Sequence, residues 1–183
     1  IQEGERIILL GPSGSGKTTL LNCISALDSP TAGTYTFDGS PVPRNDSEEM
    51  TSFRRKNIGY VFQFFNLLQD LTVIENIMLI QELSGGRDET RARQLLELVG
   101  LSGEVDRFPA EISGGQQQRV AIARSLAKSP RLLLGDELTG NLDSKTSAMV
   151  MEVLIKACEA EGITCIFVTH DESLVEYATR AIR

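Results

Sequence analysis

Gly11-Pro12-Ser13-Gly14-Ser15-Gly16-Lys17-Thr18 fits the phosphate-binding pattern G-x-x-x-x-G-K-[ST]. Arg6-Ile7-Ile8-Leu9-Leu10 enters it as a short apolar strand, and residues 17–27 leave it as a helix. Glycines let the backbone wrap closely enough for successive N–H groups to point at one anion. The helix N-terminus adds the positive end of its dipole. Lys17 supplies a point charge for β- and γ-phosphates, and the Thr18 hydroxyl is a ligand for Mg²⁺.

Two further apolar runs resemble the strand before the loop, at residues 132–134 and 163–168. Runs this short and this apolar suit parallel strands buried on both faces. Each ends in polar or glycine-rich residues: the loop itself, Asp136-Glu137, and Thr169-His170-Asp171. Open α/β sheets bind ligands at the carboxyl ends of their strands, so three strands deliver chemistry to one edge. Residues 58–62 read as another strand, and residues 33–39 as an antiparallel edge strand closed by a turn. From 144 to 161, Val150, Val153, Leu154 and Ala157 recur at helical spacing, with Asp143 or Ser144 as the cap.

The middle of the chain differs. Thr72-x-x-Glu75 is a capping box before an apolar helix, which Ser84-Gly85-Gly86 breaks. Residues 88–99 form a second helix and 120–127 a third. The chain therefore divides into an α/β core, residues 1–69 and 128–183, and an inserted helical subdomain, residues 70–127.

Composition narrows the class. The chain has 183 residues, 41% hydrophobic and 23% charged, as an ordinary globular domain does. Its net charge of −7 lacks the basic footprint of a nucleic-acid binder. No apolar run reaches the ~20 residues of a membrane span. Cys23, Cys158 and Cys165 form no C-x-x-C pair and read as reduced core residues of a cytosolic protein. His170 is the only histidine, which excludes a histidine-rich zinc site. The chain begins at Ile1 without methionine and reads as a fragment.

Four further segments carry chemistry. Asp136 ends an apolar strand where a phosphate-loop enzyme holds Mg²⁺, and Glu137 beside it is placed to polarise water as a general base. Ile112-Ser113-Gly114-Gly115-Gln116 puts a hydroxyl and two glycines at a helix entry, a second anion site. Gln63 follows a strand and offers a neutral amide to Mg²⁺ or the γ-phosphate. His170 suits a γ-phosphate contact or water orientation. Taken singly, each also reads as an ordinary strand end, glycine turn or satisfied core residue.

Their order and spacing together resemble the nucleotide-binding cassette of ABC transporters over nearly the whole chain. The resemblance implies a RecA-like phosphate-loop NTPase fold: a mostly parallel α/β sheet with an antiparallel β edge and an inserted helical subdomain. It implies ATP and Mg²⁺, with ATP contacts from Gly11, Ser13, Gly14, Ser15, Gly16, Lys17, Thr18, Thr19 and Gln63. Thr18, Gln63 and Asp136 would hold the metal, and Glu137 and His170 would be catalytic. Ser113, Gly114, Gly115 and Gln116 would act in trans, on ATP bound by a second cassette in a head-to-tail homodimer. Gly140-Asn141-Leu142-Asp143 matches the loop linking the two sites. The remaining partner would be a transmembrane permease subunit, to which the cassette binds peripherally on the cytoplasmic side of the inner membrane.

Phe62-Gln63-Phe64-Phe65-Asn66-Leu67-Leu68, with Leu71-Thr72-Val73-Ile74-Glu75-Asn76, resembles the lipoprotein-release and macrolide-export branch, although cell-division cassettes share much of this. Phe64 and Phe65 cannot both point inward on an extended segment, which makes them candidates for docking the permease. DNA-maintenance ATPases share the motifs but insert hundreds of residues between positions equivalent to Gln63 and Ser113, which here are about 50 apart. A ribosome-associated protein would need a second, tandem cassette.

Three residues depart from the family pattern. Ile112 replaces a leucine, Gly135 stands where alanine is usual, and Leu138 where proline is usual. The last two are expected to loosen the loop holding Glu137. The family also stacks adenine on an upstream aromatic; residues 1–10 contain none, which places that residue before Ile1.

Overall fold

The computed structural model describes residues 1–44 and 46–183. Five strands form one parallel sheet: β1 (Arg6–Leu10), β4 (Ile58–Val61), β5 (Leu132–Asp136), β6 (Thr164–Thr169) and β7 (Arg180–Ile182), in the order β4-β5-β6-β1-β7. The three strands expected to deliver chemistry are thus the adjacent β5, β6 and β1. Ile8 pairs with Phe167, and Leu134 with Ile166.

Alternation along the strands divides the interior in two. Ile7, Leu132, Leu134, Ile166 and Val168 face one side, with Leu21 of α1 (Lys17–Ile24) and Phe53 of α2 (Ser47–Asn57). Ile8, Leu10, Leu133, Cys165 and Phe167 face the other. There they join the helices α3 (Val73–Leu83), α4 (Glu89–Leu98), α5 (Gly114–Leu126) and α6 (Ser144–Glu161). Helix α5 packs on α3 and α4 on one flank and on α6 and β4 on the other, so one apolar cluster runs from the helical segment into the sheet.

The structure refines the bounds of the expected elements and adds two more. Helix α1 stops at Ile24 instead of residue 27, because Ala26 turns left-handed (φ 57°) and the Leu27 and Asp28 N–H groups both donate to Asn22 O. The expected antiparallel edge is present as a hairpin of its own: among the described residues β2 (Thr36–Phe37) and β3 (Ser40–Pro41) pair with each other. Asp38 and Gly39 turn between them with positive φ of 54° and 75°, as two-residue hairpins require. Helix α5 begins at Gly114, at the expected Ser-Gly-Gly entry, and runs without a break into the apolar stretch from 120, because Ser113 and Gln116 form a capping box at its start. Helix α2 and strand β7 were not anticipated. Helix α2 rests on Asp46 as N-cap, with Glu48 and Glu49 in its first turn and Arg54, Arg55 and Lys56 in its last, charges that complement its dipole.

Candidate active site

The carboxyl ends of β1, β5 and β6 meet at one edge, as their parallel register requires. The phosphate loop there is largely exposed. Gly14 and Gly16 hold φ of 82° and 90°, which glycine adopts without strain. Gly16 is the N-cap of α1 and offers no side-chain acceptor to its first turn. Among the described residues the five other α-helices each have one: Asp46, Thr72, Asp88, Ser113 and Asp143. Gly16, Lys17, Thr18 and Thr19 thus open a helix whose first-turn donors are left for a ligand. Lys17 Nζ donates to the Gly11 and Pro12 carbonyls at 2.7 and 2.8 Å, folding its charge over Ser13, Gly14 and Ser15.

Thr18 Oγ1 donates to Asp136 Oδ1 at 3.2 Å, so the loop and the end of β5 share one polar centre. Their hydroxyl and carboxylate are hard oxygen donors of the kind Mg²⁺ prefers. Burial, with the neighbouring Asp136 charge, holds the Tyr60 phenol well above its ordinary pKa. Glu137 follows in the left-handed region (φ 48°), its N–H donating to Val168 O at 3.0 Å and its C=O accepting from Gly140 N–H at 3.1 Å. The Glu137 carboxylate lies 3.0 Å from His170 Nδ1 at the end of β6. Glu137 is the more buried partner, with 18% of its side chain exposed against 63% for His170. Thr18, Asp136, Glu137 and His170 therefore occupy one edge.

Gln63 is exposed beyond β4, and its carbonyl accepts from Asn141 Nδ2 at 3.1 Å, tying it to the 140–143 loop. Phe64 is 67% exposed, whereas Phe65 packs on the larger core. The signature residues lie apart. Ser113 Oγ accepts from Gln116 N–H at 3.3 Å, and Gln116 Oε1 accepts from Ser113 N–H at 2.8 Å. Among the described residues no hydrogen bond joins Ser113, Gly114, Gly115 or Gln116 to the phosphate loop. Gly115 has a packing role: a Cβ there would stand 2.5 Å from Thr146 Cγ2 on α6.

Gly135 and Leu138, each expected to loosen the loop separately, meet in the structure. Leu138 is only 4% exposed, and its side chain lies directly over the Gly135 α-carbon. Sequence reasoning also missed two supports of the Gln63 segment. Arg124 on α5 donates to the Phe65 and Asn66 carbonyls. Asn76, 1% exposed, donates to the carbonyls of Leu68, Leu71 and Thr72 and accepts from Leu68 N–H. An asparagine inside an apolar helix was the available signal, since a buried amide needs several partners.

A family model described as ABC transporter matches residues 1–140. The lipoprotein-releasing system ATP-binding protein LolD of Geobacter metallireducens is 47% identical over 186 residues, covering 100% of this chain and 83% of that protein. The macrolide export ATP-binding/permease protein MacB of Syntrophobacter fumaroxidans is 46% identical over 188 residues, covering 100% of this chain and 26% of that longer protein. A solved dimeric structure of the ATP-binding cassette MJ0796, in a post-hydrolysis state bound to ADP and Pi, superposes with a TM-score of 0.87. It is 42% identical, covering 100% of this chain and 82% of that one. Sequence identity across the whole chain, the family match and the shared fold agree, and the chain belongs to the ABC transporter family as one of its ATP-binding cassettes.

Proposed function

We propose that this cassette binds MgATP at the phosphate loop and hydrolyses it with Glu137 as general base, to power a transporter of the lipoprotein-release and macrolide-export type. Family membership makes it a transport ATPase; the residue roles are our assignment. The observation that carries them is the convergence of Thr18 on Asp136 and of Glu137 on His170 beside the uncapped start of α1.

Gly11, Ser13, Gly14, Ser15, Gly16 and Thr19 surround the phosphates with backbone N–H groups and hydroxyls, and Lys17 moves from the loop carbonyls onto them. Thr18, Asp136 and Gln63 are the candidate holders of Mg²⁺, which when bound neutralises charge on the phosphate oxygens. Glu137 takes the proton of the attacking water, and His170 holds the Glu137 carboxylate in position. Residues 70–127 form a lobe that carries Ser113, Gly114, Gly115 and Gln116 to the ATP of a second copy. The dimeric state of the MJ0796 cassette and its bound ADP and Pi support that arrangement.

Among the described residues no helix is long and apolar enough to cross a membrane. The proposed partner for the membrane step is a transmembrane permease, with the cassette seated peripherally on its cytoplasmic side. The exposed Phe64, one residue from Gln63, is the proposed anchor. The LolD and MacB relatives support the export branch.

Glu137→Gln tests the central assignment. ATP affinity by titration calorimetry should be retained while turnover falls at least ~10²-fold, the scale of general-base loss. Retained turnover would move the base elsewhere.

A further inference from the structure

Glu137 holds a left-handed backbone (φ 48°), which a residue with a side chain keeps only where its surroundings fix it. Its N–H and C=O are fixed by Val168 and Gly140. The third restraint is the residue that follows. Leu138 is 4% exposed and belongs to the larger apolar core. A Cβ built on Gly135 would lie 2.7 Å from Leu138 Cδ1, 2.8 Å from Cγ and 2.9 Å from Cδ2. Such distances are unavailable to real atoms, so the leucine fills volume that any residue other than glycine would occupy. Because Leu138 is buried in a close-packed interior, it cannot swing aside freely.

We propose that Leu138 and Gly135 form a knob and socket that positions Glu137. Leu138 is a positioning residue. By seating over Gly135 it fixes the backbone on the C-terminal side of Glu137, and so aims the carboxylate at His170. Gly135 and Leu138 act as one unit, each needing the other. A proline at 138 would serve differently, since it presses the preceding residue towards extended backbone. The inference rests on the reading of Glu137 as the base.

A double-mutant cycle in the full-length protein tests it, with Gly135→Ala, Leu138→Ala and the double variant. ATP turnover and the C2–H proton resonance of His170, assigned by its loss in His170→Asn, are both read. Gly135→Ala should lower kcat at least tenfold, leave KM for ATP within twofold, and displace the His170 resonance. In the Leu138→Ala background the same alanine should change kcat less than twofold, because the knob it collides with is gone. Neighbours that act as a unit show this non-additivity. Equal losses in both backgrounds would overturn the proposal, as would a folded Gly135→Ala protein with unchanged kcat. If Gly135→Ala does not fold, Leu138→Met, which conserves volume but not shape, decides the matter. A threefold or greater fall in kcat at unchanged Tm supports positioning, and unchanged kcat overturns it. Glu137→Gln in the same assay keeps the two failures apart. Retained turnover would sink the general-base assignment, whereas lost turnover with an additive cycle would sink only the knob and socket.

Discussion

Helices α1 and α5 both open on glycine-rich turns, yet their first turns are in opposite states. Gly16 gives α1 no side-chain cap, and the donors there stay open. Ser113 and Gln116 cap α5 reciprocally. The dipole is the same at both ends, so the difference lies in who already accepts the N–H groups. The α1 end has donors open to an anion as it stands. An anion at α5 has to share or displace a cap worth about 1 kcal/mol. That asymmetry suits a signature that stays closed in a single subunit and engages only a phosphate presented, already bound, by a neighbour.

The largest effect that would break the comparison is loss of dimer closure. On a Glu137→Gln background, MgATP should drive a stable dimer visible by size-exclusion chromatography. Adding Ser113→Arg should abolish it, since a long side chain then fills the place of the neighbour's phosphate. Homodimers of Ser113→Arg that close as well as the parent would remove α5 from the composite site.

Next comes the α1 end by itself. A charge-assisted contact contributes about 1.5–3 kcal/mol, so Lys17→Ala should weaken MgATP binding by about one to two orders of magnitude. Titration calorimetry on the single subunit reads it. Ser113→Ala should leave that affinity within twofold, and a comparable loss from Ser113→Ala would mean that both ends act within one subunit.

The glycines sharpen the contrast further. Gly16 frees donors, whereas Gly115 makes room. A methyl at 115 meets Thr146 Cγ2, and Thr146 is held in place by its 2.6 Å hydrogen bond to Asp143 Oδ2. Gly115→Ala should therefore cost about 1–3 kcal/mol of stability, the scale of overpacking. Thr146→Ser removes the offending methyl and keeps the hydroxyl, so adding it should restore most of the Tm. If the serine does not rescue, the packing account of Gly115 fails.

What the sequence disclosed follows the same physics. The phosphate loop, the buried runs of β1, β5 and β6, and the Thr72-x-x-Glu75 capping box were legible because each is local: a few adjacent residues suffice to dictate it. Helix α2 was not, because its stability comes from a charge gradient and an Asp46 cap rather than from an apolar stripe. Strand β7 has only Arg180, Ala181 and Ile182, and becomes a strand by docking on β1. Gly135 and Leu138 were visible as departures from the family pattern, but as two separate weaknesses. Only their distance in space shows that the glycine accommodates the leucine. The Arg124 grip on the Phe65 and Asn66 carbonyls spans 59 and 58 residues of sequence, beyond any local pattern.

The smallest effect separates the two duties of Ser113. As a cap it accepts from Gln116 N–H, and Ser113→Ala should lower stability by about 0.5–2 kcal/mol, whereas Ser113→Gly should cost only a few tenths. Aspartate caps helices as well as serine does, so Ser113→Asp should leave the Tm of the single subunit nearly unchanged. Its charge, however, would face the phosphate of a neighbour at short range in a site from which closure removes water, where like charges repel most strongly. Ser113→Asp should therefore pass the thermal melt and fail the closure assay. Ser113→Ala should do the reverse, melting earlier but still closing around MgATP. If Ser113→Asp closes normally, position 113 does not face a neighbour's phosphate and serves only its own helix. The open and capped helix ends would then differ in stability alone and not in which subunit's nucleotide they bind.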